Sequence, residues 1–467
     1  MKNKRKSLLI PVENQVREFD PKLLLAYIAA KHGFSSVIGP RREMHFQIAS
    51  FPRSIYLSKS ITNASANMFR NMRKLGHEIV AWDEEALIHL PPETYFSRRL
   101  SPIAISHVSH FFAWGEDNAE LWRQYPELPP GAEIHVCGNP RGDLLRPEMH
   151  SFFKQEVAKL RESYGDFILI NTNFNHVNGF YPSQNLFLPI SKPGEEPKFG
   201  RAALGMSREF AEGLRDHKQA IFDDFKRLIP ALEQAHPQCT IVVRPHPTED
   251  PDVYHRIAAA CERVRVTNKG NVVPWLLATK VLIHNGCTTG VEAYAMKVPS
   301  VSYRKTVNDL YDHGFYRLSN MLSHQCFTFE ELRTTLSRIL SGELGVVEGD
   351  DRKALIDHYL AAIDGPLACE RIVHVLESMM EGRSELPKPA LNDWLYGWYK
   401  TTWRGLKKRF KSYLPGSHRA PAFLRHRYPS ISLEDVRERI SRLQEALGES
   451  REVEIELVSR QFFRIRS

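Results

Sequence analysis

Short apolar runs alternate with helical patterns along most of the chain, and each run breaks at turn residues. Residues 7–12 form the first strand-like run; residues 22–31 follow, where Leu23, Leu24, Tyr27 and Ile28 recur at helical spacing. Runs at 35–38, 54–57, 78–82, 110–114 and 133–137 continue the series, the last closing at Gly138-Asn139-Pro140. A polar helix over 151–164 leads to a second series at 167–171, 240–243, 264–267, 281–284 and 299–303, with a helix over 290–296 and others ending near Leu376. This alternation predicts an α/β chain of two Rossmann-like domains facing a cleft, 1–165 and 166–385, with ligands at the loops after the strands. Residues 386–467 are read as a helical, basic appendage. The stretch 179–200, with Pro182, Pro189, Pro193 and Pro197, reads as a mobile surface loop.

A chain of 467 residues suits two domains with a tail, and 42% hydrophobic with 25% charged residues excludes wholesale disorder. No apolar run reaches the ~18 residues of a spanning helix and no signal peptide is read, so a cytoplasmic protein is expected. Six cysteines stand singly, with no CxxC pair and no His beside them at ligand spacing, which predicts free thiols and no metal site.

The net charge of +8 is local. Residues 396–428 carry nine basic residues and no acidic one, leaving the remainder at −1. Trp394, Trp398, Tyr399, Trp403, Phe410 and Tyr413 interleave with these charges, and Trp394, Trp398 and Tyr399 fall at i, i+4 and i+5. Such a helix suits an anionic membrane surface; the competing readings are a strap with its aromatics buried on the body, and nucleic acid, ranked below membrane because no nucleic-acid motif accompanies it. From Ser432, Leu433, Val436, Ile440, Leu443 and Leu447 outline an amphipathic helix that packs on its own chain or serves a homodimer.

Four stretches carry candidate chemistry. Arg244-Pro245-His246-Pro247 ends a strand, and a histidine held between prolines projects an imidazole able to donate to a phosphate. His284-Asn285-Gly286-Cys287-Thr288-Thr289-Gly290 forms a strand-to-helix turn whose N–H groups and hydroxyls suit a phosphate or carboxylate, with Glu292 one turn on for ribose hydroxyls. Asp83-Glu84-Glu85 crowds carboxylates where one can serve as a general base, or simply begin a helix. Glu13, Arg17 and Glu18 follow the first strand and suit an acceptor or substrate carboxylate, or a solvated salt bridge.

Together with Pro11-Val12-Glu13, Arg17-Glu18-Phe19-Asp20, Gly138-Asn139-Pro140-Arg141 with Asp143, and Asn171-Thr172-Asn173-Phe174, these motifs resemble the bacterial surface carbohydrate (surface polysaccharide) biosynthesis proteins over roughly residues 7–380. That group looks like GT-B glycosyltransferases. A wider similarity is to bacterial sialyltransferases and the capsule Kdo transferases, which use CMP-activated ulosonic acids; one His with hydroxyls and a helix N-terminus can stabilise the departing CMP without a metal. The resemblance implies Glu84 or Glu85 as base and His246 as leaving-group acid. It implies Arg244, His284, Asn285, Gly286, Thr288, Thr289 and Glu292 on the donor, and Glu13, Arg17, Asn139, Arg141 and Asn173 on a lipid-linked or oligosaccharide acceptor. Ala86 stands where that pattern has Gly. CDP-polyol phosphotransferases share the layout and give the rival enzymatic reading; a non-catalytic scaffold is the other alternative.

Overall fold

A computed structural model describes residues 6–190, 196–312, 317–412, 428–459 and 461–467. They form two compact units: the described residues up to Phe152 together with those from Asp357 on, and Phe153–Ile356. The division differs from the expected 1–165, 166–385 and 386–467, because the chain returns to the first unit at Asp357. The return is built on two glycines. A Cβ on Gly115 would strike the Tyr359 carbonyl carbon at 2.4 Å, and Gly138, at φ +85°, leaves 2.7 Å between its missing Cβ and the Ala361 oxygen. The Ala361 N–H then donates to the Trp114 carbonyl at 2.7 Å.

The first unit holds an eight-stranded sheet made from β1 (Lys6–Val12), β2 (Phe34–Pro40), β3 (Ile55–Ser58), β4 (Glu78–Ala81), β5 (His110–Ala113) and β6 (Glu133–Val136), with a C-terminal hairpin at one edge. The order is hairpin-β2-β1-β3-β4-β5-β6, parallel apart from the hairpin, so strand order reverses between β1 and β3. Leu8, Leu9 and Ile10 are fully buried, as a central parallel strand covered on both faces requires. The helix Gln15–Lys31 is buried from Glu18 through Ala30, wrapped by the sheet and by the helices Ala368–Met379 and Leu433–Leu447.

The second unit has a six-stranded parallel sheet of β7 (Phe167–Asn171), β8 (Thr240–Arg244), β9 (Val264–Val266), β10 (Val281–His284), β11 (Ser300–Tyr303) and β12 (His324–Cys326). Counted within the unit its order is 3-2-1-4-5-6, the doubly wound order of dinucleotide-binding folds, with the reversal between β7 and β10. β12, only three residues long, has no counterpart among the expected strands. In the stretch read as a mobile loop, Leu186 and Phe187 are buried beside Ala203, Ala211 and Leu214; residues 191–195 lie outside the described residues.

The tail is not a free appendage. The helix Leu433–Leu447 buries Val436, Ile440 and Leu443, and Arg439 pairs with Asp20. β13 (Glu454–Ser459) and β14 (Phe462–Arg466) follow, unforeseen, and β14 adds antiparallel to β2.

Candidate functional site

Open α/β sheets bind ligands outside the carboxyl ends of their strands, at the point where strand order reverses. In the first unit that point is β1/β3, and the loops there carry a charged cluster. Glu18, on the first turn of its helix, accepts from Lys22 at 2.8 Å and from Lys59 at 2.5 Å. Glu13 pairs with Arg41 at 2.8 Å and Lys59 at 3.2 Å. Burial would raise both carboxyls; the cations outweigh it, and both lie below the ordinary range.

The three acids after β4 take separate places. Asp83 is buried and accepts from the Arg99 guanidinium, the Tyr95 hydroxyl at 2.9 Å and the Glu85 N–H at 3.2 Å, so it locks its own loop. Glu84 is buried too. One of its oxygens accepts from Trp82 Nε1 at 2.9 Å and faces Lys22 Nζ at 3.3 Å; the other has no hydrogen-bond partner. Glu85 alone is presented to solvent, its side chain 52% exposed, in an ion pair with Arg17 at 2.5 Å. Loss of solvent on the covered side of the Glu85 carboxyl pushes it up, and Arg17 pulls it down further, to about 2.

Asn139 and its neighbours serve the backbone. The Asn139 side chain caps the turn Pro140–Asp143 by accepting from the Arg141 N–H at 3.0 Å, and Arg141 stacks 5.4 Å from the Trp114 ring centroid. Asp143 accepts from the N–H groups of Ala368 and Cys369 at 2.7 and 2.9 Å, capping the helix that returns to this unit. Burial raises its carboxyl to about 6.

In the second unit, the ends of β10, β7 and β8 lie side by side, with His284 opposite Asn171 and Asn171 opposite Arg244. His246 stands exposed just past β8. Its Nδ1 lies 2.8 Å from Thr248 Oγ1 and accepts from the Thr248 N–H at 3.3 Å, so the neutral ring carries its proton on Nε2. Beneath it, buried Glu249 accepts from the His246 N–H at 3.1 Å, the Thr172 hydroxyl at 2.8 Å and the Tyr254 hydroxyl at 2.6 Å. Glu249 and Thr172 thus tie the His-Pro loop to the end of β7; an acid three residues after the histidine was the available signal. Asn173 follows Thr172, partly buried.

Two expected donor residues are turned to structural work. Arg244 donates to the carbonyls of Lys269 at 2.8 Å and Gly270 at 3.1 Å and stacks 4.7 Å from the Trp275 ring centroid; burial lowers its guanidinium to about 10. His284 is fully buried. Its Nδ1 accepts from the Gly286 N–H at 2.9 Å, so Nε2–H donates to Ser323 Oγ at 2.8 Å, and burial holds the ring neutral with a pKa of about 3. Gly286, at φ +94°, makes the return possible. Gly290 leaves room for the ring, since a Cβ there would come within 2.6 Å of His284 Nε2.

Residues 285–287 lead from β10 into the helix Thr288–Ala295. Thr288 and Thr289 are half-exposed at its first positions, with Thr289 Oγ1 2.6 Å from Cys287 Sγ, and Glu292 is buried one turn in. Asn285 is buried, and neither polar atom of its side chain has a hydrogen-bond partner; Asn171 Oδ1 shares that condition. Buried polar atoms are ordinarily paired, and these two asparagines lie beside the strand-order reversal.

The aromatic helix runs Leu391–Ser412 in the first unit. Its seat is a small-residue face, Gly397, Thr401 and Gly405, packed on the helix Asn63–Lys74 and on Phe46. A Cβ on Gly397 would lie 3.1 Å from the Asn71 oxygen. The opposite face presents Tyr399, Trp403, Leu406 and Phe410, with Trp403 58% and Phe410 74% exposed; Trp394 and Trp398 flank the seat and are partly exposed. The helix is therefore strapped to the body while its aromatics face outward. Tyr413, Arg419, Arg425 and Arg427 lie outside the described residues. Among those described, no helix is long and apolar enough to cross a membrane.

The sequence matches no family model and no curated protein. Among solved structures it is similar to the wall teichoic acid polymerase TagF, at 13% identity over 81% of this chain and 89% of that one, with a TM-score of 0.47. It is similar also to the UDP-GlcNAc 2-epimerases from Methanocaldococcus jannaschii (12% identity, 80% and 99%, TM-score 0.46) and Neisseria meningitidis (12%, 80% and 99%, 0.44). Likenesses of this size carry no statement of substrate or reaction.

Proposed function

We propose that the chain is a transferase of surface-glycan assembly, taking a nucleotide-activated donor on its second unit and a glycan acceptor on its first. The donor we assign is a CMP-activated ulosonic acid, such as Kdo or a sialic-acid-like sugar. The observation that carries the reading is the His246 loop: an exposed imidazole with its proton on Nε2, held by Thr248 and Glu249 at a strand end. The unpaired Asn285 and the helix N-terminus behind Thr288 and Thr289 supply further donors for a departing phosphate.

On the acceptor side, Glu85 is the base and Glu84 part of the core. At a pKa of about 2, Glu85 is too weak to take a proton near neutrality. An anionic substrate that engages Arg17 would release it, and the carboxyl would rise as its cation leaves. The outward aromatics with Lys400 and Lys407 beside them suit an anionic lipid surface, where a lipid-linked acceptor resides.

Thermal shift with CMP, CDP, UDP and GDP, on the full chain and on His246→Ala, tests the donor class, because a bound nucleotide stabilises the fold by mass action. Stabilisation by CMP that is reduced in His246→Ala supports the reading. Preference for CDP would move it to polyol-phosphate transfer, and no shift with any nucleotide would overturn it in favour of a scaffold.

A further inference from the structure

At the amino-terminal edge of the first sheet lies a cluster that the transferase reading does not use. His110 opens β5 and Glu133 opens β6; the two are partners in the parallel register, and His135, two residues on, returns to the same face. His110 Nδ1 is 3.0 Å from His135 Nε2 and 3.4 Å from a Glu133 oxygen, which lies 3.6 Å from His135 Nε2. The two imidazoles are half-buried and stacked, with centroids 5.2 Å apart, and the carboxylate stands at the solvent side. Nitrogen and oxygen ligands held ~2.0–2.2 Å from a tetrahedral ion sit about 3.3 Å from one another, which is the spacing found here.

We propose that His110, Glu133 and His135 bind a divalent transition ion of the Zn²⁺ class, with water completing the tetrahedron. Two imidazoles and one carboxylate select such an ion over Mg²⁺ or Ca²⁺, which take oxygen ligands. His110 and Glu133 begin their strands and His135 lies two residues on, whereas substrate loops follow strand ends, so the ion lies apart from the proposed transferase site. It ties β6, the outermost strand on that side, to β5, and its binding energy adds to the stability of the sheet edge.

The test uses the full chain, stripped with a chelator and titrated with Co²⁺ and then Zn²⁺. One equivalent of Co²⁺ should give the visible absorption of a tetrahedral ion, bleached by Zn²⁺, and either ion should raise Tm. Glu133→Gln changes an exposed side chain; it should leave the metal-free Tm unchanged and weaken binding by about tenfold or more. The pair His110→Ala with His135→Ala should abolish the absorption. No stoichiometric binding, or binding that survives in the double variant, overturns the assignment and leaves a hydrogen-bonded histidine pair. Unchanged affinity in Glu133→Gln overturns it as well, whether or not the double variant folds.

Discussion

Lys22 Nζ lies 3.3 Å from Glu84 and 2.8 Å from Glu18 in the interior of the first unit, where all three side chains are almost fully buried. One cation thus serves two acids, one on its own helix and one in the loop after β4, and it also donates to the Pro11 carbonyl at 2.8 Å. Removing one member of a buried ion network leaves an uncompensated charge, so Glu84→Ala should cost about 3–5 kcal/mol. Glu85→Ala, at an exposed pair, should cost ~1 kcal/mol or less. Urea unfolding of both variants measures the contrast; an unchanged midpoint for Glu84→Ala would return Glu84 to the list of candidate bases.

The Arg17–Glu85 pair makes a statement about pH. With Arg17 in place, Glu85 stays ionised down to about pH 2; without it, the carboxyl moves up toward its ordinary 4.5. For Arg17→Gln the acid limb of kcat/KM should therefore move to higher pH and KM should rise. An acid limb that stays where it was would show that Glu85 is not the base.

Buried His284 should appear in the stability of the fold. Its folded pKa of about 3 lies below the ordinary 6.5, so between these values the unfolded chain binds a proton that the folded chain does not. Its contribution is complete above pH 6.5 and is lost as pH falls toward 3. His284→Gln should lower stability overall and make the acid-side slope shallower by about 1.4 kcal/mol per pH unit in that window. Denaturant titrations at pH 4, 5 and 7 read the difference. Gly290→Ala, which drives a methyl into the same ring, should destabilise by about 1–3 kcal/mol at all three.

Because the aromatic helix is seated on its small residues, deleting it would uncover the helix beneath; substitutions on the outer face are the cleaner probe. Tyr399→Ser, Trp403→Ser and Phe410→Ser together should leave Tm nearly unchanged and release the protein from anionic vesicles in sedimentation. Sedimentation equal to that of the wild type would remove the membrane role from this face.

The order of elements was readable from the chain itself. Apolar runs of four to six residues broken by turn residues mark eleven of the fourteen strands among the described residues, because a buried parallel strand needs side chains that are apolar on both faces. The three missed strands are short or carry the edge: β12 reads His-Gln-Cys, and β13 alternates Glu with Ile and Leu in a segment taken for a tail. Its period of two was the available signal.

The motifs lie on loops that follow strands, as expected, since strand ends are fixed by local sequence. Which side chain in each loop meets solvent was decided by packing. Glu84 and Glu85 are adjacent and chemically identical, yet one faces Lys22 in the core and the other Arg17 at the surface, because they are the two central residues of a turn, closed by the Ala86 N–H on the Asp83 carbonyl at 3.2 Å, and their side chains diverge. Arg244 and His284 were drawn into carbonyls and hydroxyls within their own unit, partners that lie 25 to 39 residues away. His110 and His135 stand 25 residues apart, and only the pairing of β5 with β6 brings their nitrogens together. Local sequence sets the elements and the chemistry available; contacts between distant segments decide which groups are sealed, which are paired and which are left to act.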